Sequence, residues 1–407
     1  MNDFPIEQIR KDFPILDQLV YGKPLAYLDN GATTQKPLRM IEAVNRLHRE
    51  QNASVHRSVN YLSDKMTQVY EEARTTVQKF IGAPKSSQVI FTSGATGSIN
   101  LVAFSIGEGI LEPGDQIILS TMEHHSNIVP WQMVCERRGA SLRIIPVTDE
   151  GELDLDAYRN LFSERTRMVA VTHVSNVLGT INPAREIVKI AHLQGVPVLL
   201  DGAQAVQHLP VDVVDLDCDF YVFSGHKVFG PTGIGVQYGK EDWLERLPPY
   251  QGGGDMIDRV TFEKTTYNEL PFKFEAGTAN YIGAIGLAES LNYLTGIGLD
   301  RIISYEHYLR DYTIEKLSGI RQLRMYGTSA EKAAIFSFVL EGIHPYDTGM
   351  IIDKYGLAVR TGTHCAMPLM QRFGIEGTLR ASLCFYNTTD EIDRLHDALN
   401  TVIELLA

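Results

Sequence analysis

The chain has 407 residues, 44% apolar and 21% charged, values that exclude a disordered, collagen-like or disulfide-stapled protein. Its 37 Lys and Arg against 50 Asp and Glu give a formal net charge of −13, which argues against wrapping nucleic acid or coating an anionic membrane. The four cysteines (Cys135, Cys218, Cys365, Cys384) are widely spread with no C-x-x-C pair, so neither a disulfide framework nor a metal site is expected. MNDFPIEQIRKDFPIL has no apolar run behind a basic start, as a secretory signal would. No apolar stretch approaches the ~18–20 residues of a membrane span. The expectation is a cytoplasmic protein with no nucleic-acid and no membrane partner.

From about residue 35 to 240, short β-rich runs alternate with helical patterns. The predicted strands are QVIF (88–91), QIILS (116–120), LRIIPV (142–147), RMVAVTHV (167–174), PVLLDG (197–202), DFYVFSG (219–225) and IGVQYG (234–239). Several are apolar on both faces, as buried parallel strands are. Amphipathic stretches at 64–81 and 183–194 lie between them, so the pattern is that of an α/β sheet with helices on its faces. After about residue 285 comes a long helical stretch over 284–318, then a strand, IFSFVL, and a helix near 346–355. A strand, GLAVR, follows, then a loop from Thr361 to about Thr378, RASLCFY, and a last helix. That helix repeats Ile392, Leu395, Leu399, Val402 and Leu406 at 3–4 residue spacing behind a Thr388-x-x-Glu391 capping box. The expected domains are a large α/β unit over 25–285 and a smaller α+β unit over 286–407, joined by segment 1–24.

Ligands of α/β sheets sit beyond the carboxyl ends of the strands. Polar residues collect there: Glu123-His124-His125 after QIILS, Asn176 after RMVAVTHV, Asp201 and Gln204 after PVLL, and Ser224-Gly225-His226-Lys227 after DFYVF. Each alone reads as a cap or a turn; together they read as one crevice. Asp201 closes an apolar strand, where a carboxylate is costly unless it meets a cation. Lys227 follows another apolar strand, where an amine with a lowered pKa suits a Schiff base. An Asp for a pyridinium and a Lys for an aldehyde are what pyridoxal phosphate asks of a protein. Ser93-Gly94-Ala95-Thr96-Gly97, between a strand and a helix, offers backbone N–H groups to a phosphate.

Cys365 stands apart from the other thiols. Cys218 borders a strand and Cys384 alternates within RASLCFY, so both read, like Cys135, as small buried hydrophobes. Cys365 lies in the polar loop Arg-Thr-Gly-Thr-His-Cys, beside His364 and near Arg360, whose positive charges would favour the nucleophilic thiolate.

The stretch DGAQAVQHLPVDVVDLDCDFYVFSGHKVFGPTGIGV resembles the cofactor-binding core of fold-type I pyridoxal phosphate enzymes of the aminotransferase class V group. MEHHSNIVPWQ, THVSNVLGT, FEAGT and VRTGTHCAMPLM are similar to the SUF-system (group II) cysteine desulfurases and selenocysteine lyases, over essentially the whole chain. The resemblance implies that Lys227 holds the cofactor, Asp201 pairs with the ring nitrogen, His124 stacks on the ring and Gln204 bonds the ring oxygen. Ala95, Thr96, Ser224 and His226 would bind the phosphate, with Thr278 of FEAGT entering from a second subunit of a homodimer. Where the family usually has Thr, this chain has Ala95, leaving its backbone N–H for the phosphate. Asn176, Arg360 and Arg380 would meet the substrate, with His56 and Arg57 reaching in from the partner. Cys365 would take sulfur from L-cysteine as a persulfide, with Lys227 as base and His124 as acid, and pass it to a SufE-like or SufU-like acceptor for iron–sulfur assembly. Selenocysteine lyase activity is the nearest alternative. An aminotransferase would not need Cys365, and a transcription regulator of this fold would carry a basic helix-turn-helix domain.

Overall fold

The computed structural model describes residues 4–406. Residues 1–3 and 407, which the expected segments 1–24 and 286–407 include, lie outside the described residues. Seven strands form the main sheet: β1 (Val89–Thr92), β2 (Gln116–Ser120), β3 (Ser141–Ile145), β4 (Thr166–Thr172), β5 (Val198–Asp201), β6 (Phe220–Ser224) and β7 (Gly235–Gly239). They run in the order β1-β7-β6-β5-β4-β2-β3, and β7 alone is antiparallel to its neighbours. All residues of β5, β6 and β7 are buried, as the doubly apolar runs require.

Alternate strand residues feed two cores, one on each face of the sheet. Val169, Val171, Val198 and Leu200 pack with α1 (Tyr61–Phe80), and Met168, Ala170, Leu199 and Val222 pack with α2 (Ala95–Gly109) and α3 (Val129–Arg138). α4 (Ala184–His192) and α5 (Tyr281–Ile297) join the first face. The long helical stretch expected over 284–318 is two helices, α5 and α6 (Leu299–Ser318), because Gly298 takes φ +98°, a conformation that ends a helix.

A second, four-stranded antiparallel sheet runs β8-β9-β11-β10, from β8 (Leu323–Tyr326), β9 (Ile335–Leu340), β10 (Arg360–Gly362) and β11 (Thr378–Ser382). Its core joins Phe336, Phe338 and Leu379 to α6, α7 (Pro345–Asp353) and α9 (Thr389–Leu406). The capping box of α9 is present: Thr388 N–H donates to Glu391 at 3.2 Å, and Glu391 N–H donates to Thr388 Oγ1 at 3.3 Å. Two expectations are corrected here. The segment expected as a loop from Thr361 to about Thr378 contains the end of β10 and a short helix, α8 (Met367–Phe373), started by Pro368 within its first turn. β11 ends at Ser382, so Cys384 lies beyond the strand, although it is buried.

The chain before the main sheet spans both layers. Ala26–Tyr27 pairs in parallel with Leu357–Ala358, and Asp29 bridges to Ser382 of β11. Arg74 of α1, 1% exposed, forms a fork with Glu275, Nη1 to Oε1 at 2.6 Å and Nη2 to Oε2 at 2.9 Å. Glu275 also accepts the Phe91 N–H of β1 at 2.7 Å, so one carboxylate ties helix, strand and the 275–278 loop together. Glu275→Ala removes the fork while Arg74 keeps Glu71 at 2.9 Å, and leaves the Phe91 N–H without its acceptor, so it should destabilise the protein by about 1–3 kcal/mol. Thermal melting is the check, with a markedly lower midpoint as the expected outcome.

Candidate active site

Because β2, β4, β5 and β6 run in parallel, their carboxyl ends open on one edge, against which β10 and β11 of the second sheet close. A cavity of about 190 Å3 lies between them. Among the sequence-predicted site residues it brings together Ala95, Thr96, His124, Asn176, Asp201, Gln204, Ser224, His226, Lys227, Arg360 and Arg380.

Lys227 ends the short turn after β6, and burial pushes its amine down to about 8 against the opposing charge of Asp201. Asp201 closes β5; burial raises its carboxyl, and Ala203 N–H, at 2.9 Å, and the charge of Lys227 favour the ionised form. His124 Nδ1 accepts the Ser126 N–H at 3.1 Å, so its proton sits on Nε2. Burial, then Lys227, pushes His124 down to about 3, so at neutral pH the imidazole is uncharged. Gln204 donates from Nε2 to Gly31 O at 2.7 Å, while its buried Oε1 has no partner among the described residues.

The glycine turn before α2 departs from one expectation. A Cβ on Gly235 would lie 2.3 Å from Gly94 Cα, so β7 and this turn are in close approach. Ser224 faces Gly235 in the sheet register, and its Oγ accepts the Ala95 N–H at 2.8 Å. The N–H that Ala95 was expected to offer a phosphate is thus already engaged by a side chain.

Arg380 of β11 is 1% exposed. Nη1 donates to Asn176 O at 2.8 Å, Nη2 donates to Asp29 at 3.0 Å, and Nε has no partner among the described residues. Asn176 in turn donates to His364 O at 2.8 Å. His364 and Cys365 adopt φ +50° and +57°, two successive left-handed residues at a cost of about 1–3 kcal/mol each. Cys365 O accepts the His125 N–H at 2.7 Å. The half-buried Cys365 does not line the cavity itself, but lies near enough to Lys227 and Arg380 to interact electrostatically with both. His364 is not the cationic neighbour its sequence position suggested: Nε2 bonds Thr378 O and Oγ1 at 3.2 and 2.9 Å, and burial pushes it down to about 3.

Thr278, His56 and Arg57 lie outside this cavity. Thr278 is exposed in a separate hollow with Ser93, Gly97 and Gln251; His56 pairs with Glu71 at 3.1 Å, and Arg57 with Asp255. Sequence reasoning placed Glu123 in the crevice without giving it a role, and missed Asp29 altogether. Glu123, next to His124 in the chain, is fully buried, accepting from Ser120 Oγ, from Asn127 Nδ2 at 2.7 Å and from Thr172 N–H at 3.0 Å. Asp29 lies upstream of the strand–helix alternation and carries no signal in the sequence.

With its amine at about 8 rather than the usual ~10.4, Lys227 gains its reactive neutral form as pH rises through 8. The rate of aldehyde capture at Lys227 should climb with a midpoint near pH 8 and level off about one unit higher. Stopped-flow absorbance is the check; a rate still climbing at pH 10 would contradict the lowered value.

Residues 26–395 match the aminotransferase class-V family. A cysteine desulfurase of Dickeya dadantii is 49% identical over 404 residues, covering 99% of this chain and 98% of that protein. A cysteine desulfurase of Synechococcus elongatus is 50% identical over 399 residues, 98% of this chain, and the match spans 64% of that longer protein. The crystal structure of an Escherichia coli cysteine desulfurase in an S-sulfonic acid form aligns with a TM-score of 0.92 at 38% identity, covering 99% of this chain and 100% of that one. The chain, with its α/β fold of type I and its cavity at the strand ends, belongs to the aminotransferase class-V family.

Proposed function

We propose that this chain is a pyridoxal-phosphate-dependent cysteine desulfurase that converts L-cysteine to L-alanine and takes up the sulfur on Cys365. The observation that carries this reading is the meeting of Lys227, Asp201 and Arg380 in one cavity with Cys365 held beside it. A transaminase has no need of a thiol there, and the desulfurase relatives support the same choice.

The residues fit the cofactor. An amine pushed down to about 8, a buried carboxylate and the unpartnered Gln204 Oε1 suit an aldehyde, a ring nitrogen and a ring oxygen in that order. His124 would cover the ring, and Thr96, Ser224 and His226 would hold the phosphate, joined by Thr278 of a second copy. When bound, pyridoxal phosphate supplies an electron sink for the pair released at Cα.

The remaining work belongs to the chain. Arg380, held by Asp29 and Asn176, orients the substrate carboxylate with its free donors, and Arg360 adds a second positive charge. Lys227 in its neutral form takes the Cα proton. Cys365 Sγ bonds the substrate sulfur as the sulfur–Cβ bond breaks, and that electron pair ends in a C–H bond of alanine. The thiol of Cys365 and L-cysteine thus become a persulfide and L-alanine, with atoms and electrons balanced. His124, uncharged with its proton on Nε2, donates a hydrogen bond into the cavity and returns a proton only when anionic ligands raise its pKa. The persulfide then passes to a SufE-like or SufU-like acceptor of the SUF system in the cytoplasm. The working unit is a homodimer, with Thr278, His56 and Arg57 completing the partner's site.

Cys365→Ala should abolish alanine formation from L-cysteine while the yellow absorption of the lysine-bound cofactor persists, and Lys227→Ala should lose that absorption. Alanine assays and visible spectra check both. Mixed Lys227→Ala and Thr278→Ala protomers should regain part of the activity, because a heterodimer rebuilds one intact site. A fully active monomer in sedimentation would contradict the shared site.

A further inference from the structure

The turn after β2 carries three consecutive polar residues, each directed differently. Glu123 is anchored in the core, His124 faces the cavity, and the half-buried His125 does not line it. His125 instead holds the Cys365 loop at the Cys365 carbonyl and two residues further on. Its N–H donates to Cys365 O at 2.7 Å, and its Nε2 accepts the Met367 N–H at 3.1 Å. The backbone it grips is left-handed at His364 and Cys365, a conformation that non-glycine residues keep only when surrounding contacts impose it.

We propose that His125 is a positioning residue for Cys365, setting the reach of the thiol and tying its loop to the turn that presents His124. This rests on the desulfurase reading above. Glu123 accepts the Thr172 N–H at 3.0 Å, so the turn is fixed to β4 and the grip has a rigid origin. The side-chain half of the grip needs an acceptor at the position of Nε2, which Gln can supply and Ala cannot.

The test compares wild type, His125→Ala, His125→Gln and Cys365→Ala as cofactor-loaded proteins. His125→Ala should lower kcat for alanine formation from L-cysteine about tenfold, with KM within about twofold and the visible cofactor absorption unchanged. His125→Gln should recover kcat to within about threefold of wild type. Amide hydrogen exchange across residues 363–367 should quicken in the Ala variant and stay near wild type in the Gln variant. Wild-type kcat in His125→Ala, an equal loss in His125→Gln, or exchange alike in all three would overturn the proposal. A wild type that makes no alanine, or a Cys365→Ala variant that makes it at full rate, would instead overturn the desulfurase reading. In that event the exchange measurement still decides whether His125 holds the loop.

Discussion

Arg380 is the charge that the two sheets share. It lies on β11, opposite Arg360 of β10, yet its hydrogen bonds go to Asn176 beyond β4 and to Asp29 ahead of the main sheet. Removing a guanidinium from water is costly unless geometry and partners compensate, so these contacts constrain where the second sheet can sit. Gly31 shows the tightness of the fit: a Cβ there would meet Arg380 Cζ at 3.1 Å. Gly31 O in turn accepts from Gln204, and Ser337 Oγ of β9 donates to Val177 O at 2.7 Å across the same boundary. The cavity is therefore a consequence of how one buried cation is partnered.

Around that cation, charges of both signs are buried together: Arg380 is 1% exposed and Asp201 3%. Lys227, Arg360 and Arg380 surround His124, and together with burial they keep its imidazole neutral. Burial and the two arginines keep His364 neutral as well, so the ring next to Cys365 brings no positive charge. The carboxylates are buried as well. Burial raises Asp201 and pushes Glu123 up to about 8, and each is supplied with donors from the backbone. Two arginines facing Asp201 across one cavity suit a ligand with an anionic carboxylate and a protonated ring.

Much of this was legible because parallel strands buried on both faces must be continuous apolar runs. PVLLDG and DFYVFSG announced β5 and β6, and the residues that follow them had to lie at one edge. Thr388 and Glu391 announced the start of α9 through hydrogen bonds made within four residues. What depended on distant contacts was not legible. The break at Gly298 looked like one helix because apolar spacing continues through it, and α8 was hidden in a polar segment whose start is capped by His125, far away in the chain. The charge of His364 could not be read from its neighbours in sequence, since burial against β11 decides it. Ala95 shows the same limit at the cradle, where Ser224 from another strand takes its N–H.

The central claim is that Cys365 accepts the substrate sulfur. Mass spectrometry of the cofactor-loaded protein after brief exposure to L-cysteine, with free thiols blocked, tests it directly. The account predicts one added sulfur atom on the peptide holding Cys365 and none on those holding the buried Cys135, Cys218 and Cys384. Alanine formed in step with sulfur on another cysteine, or with none on the protein, would contradict it.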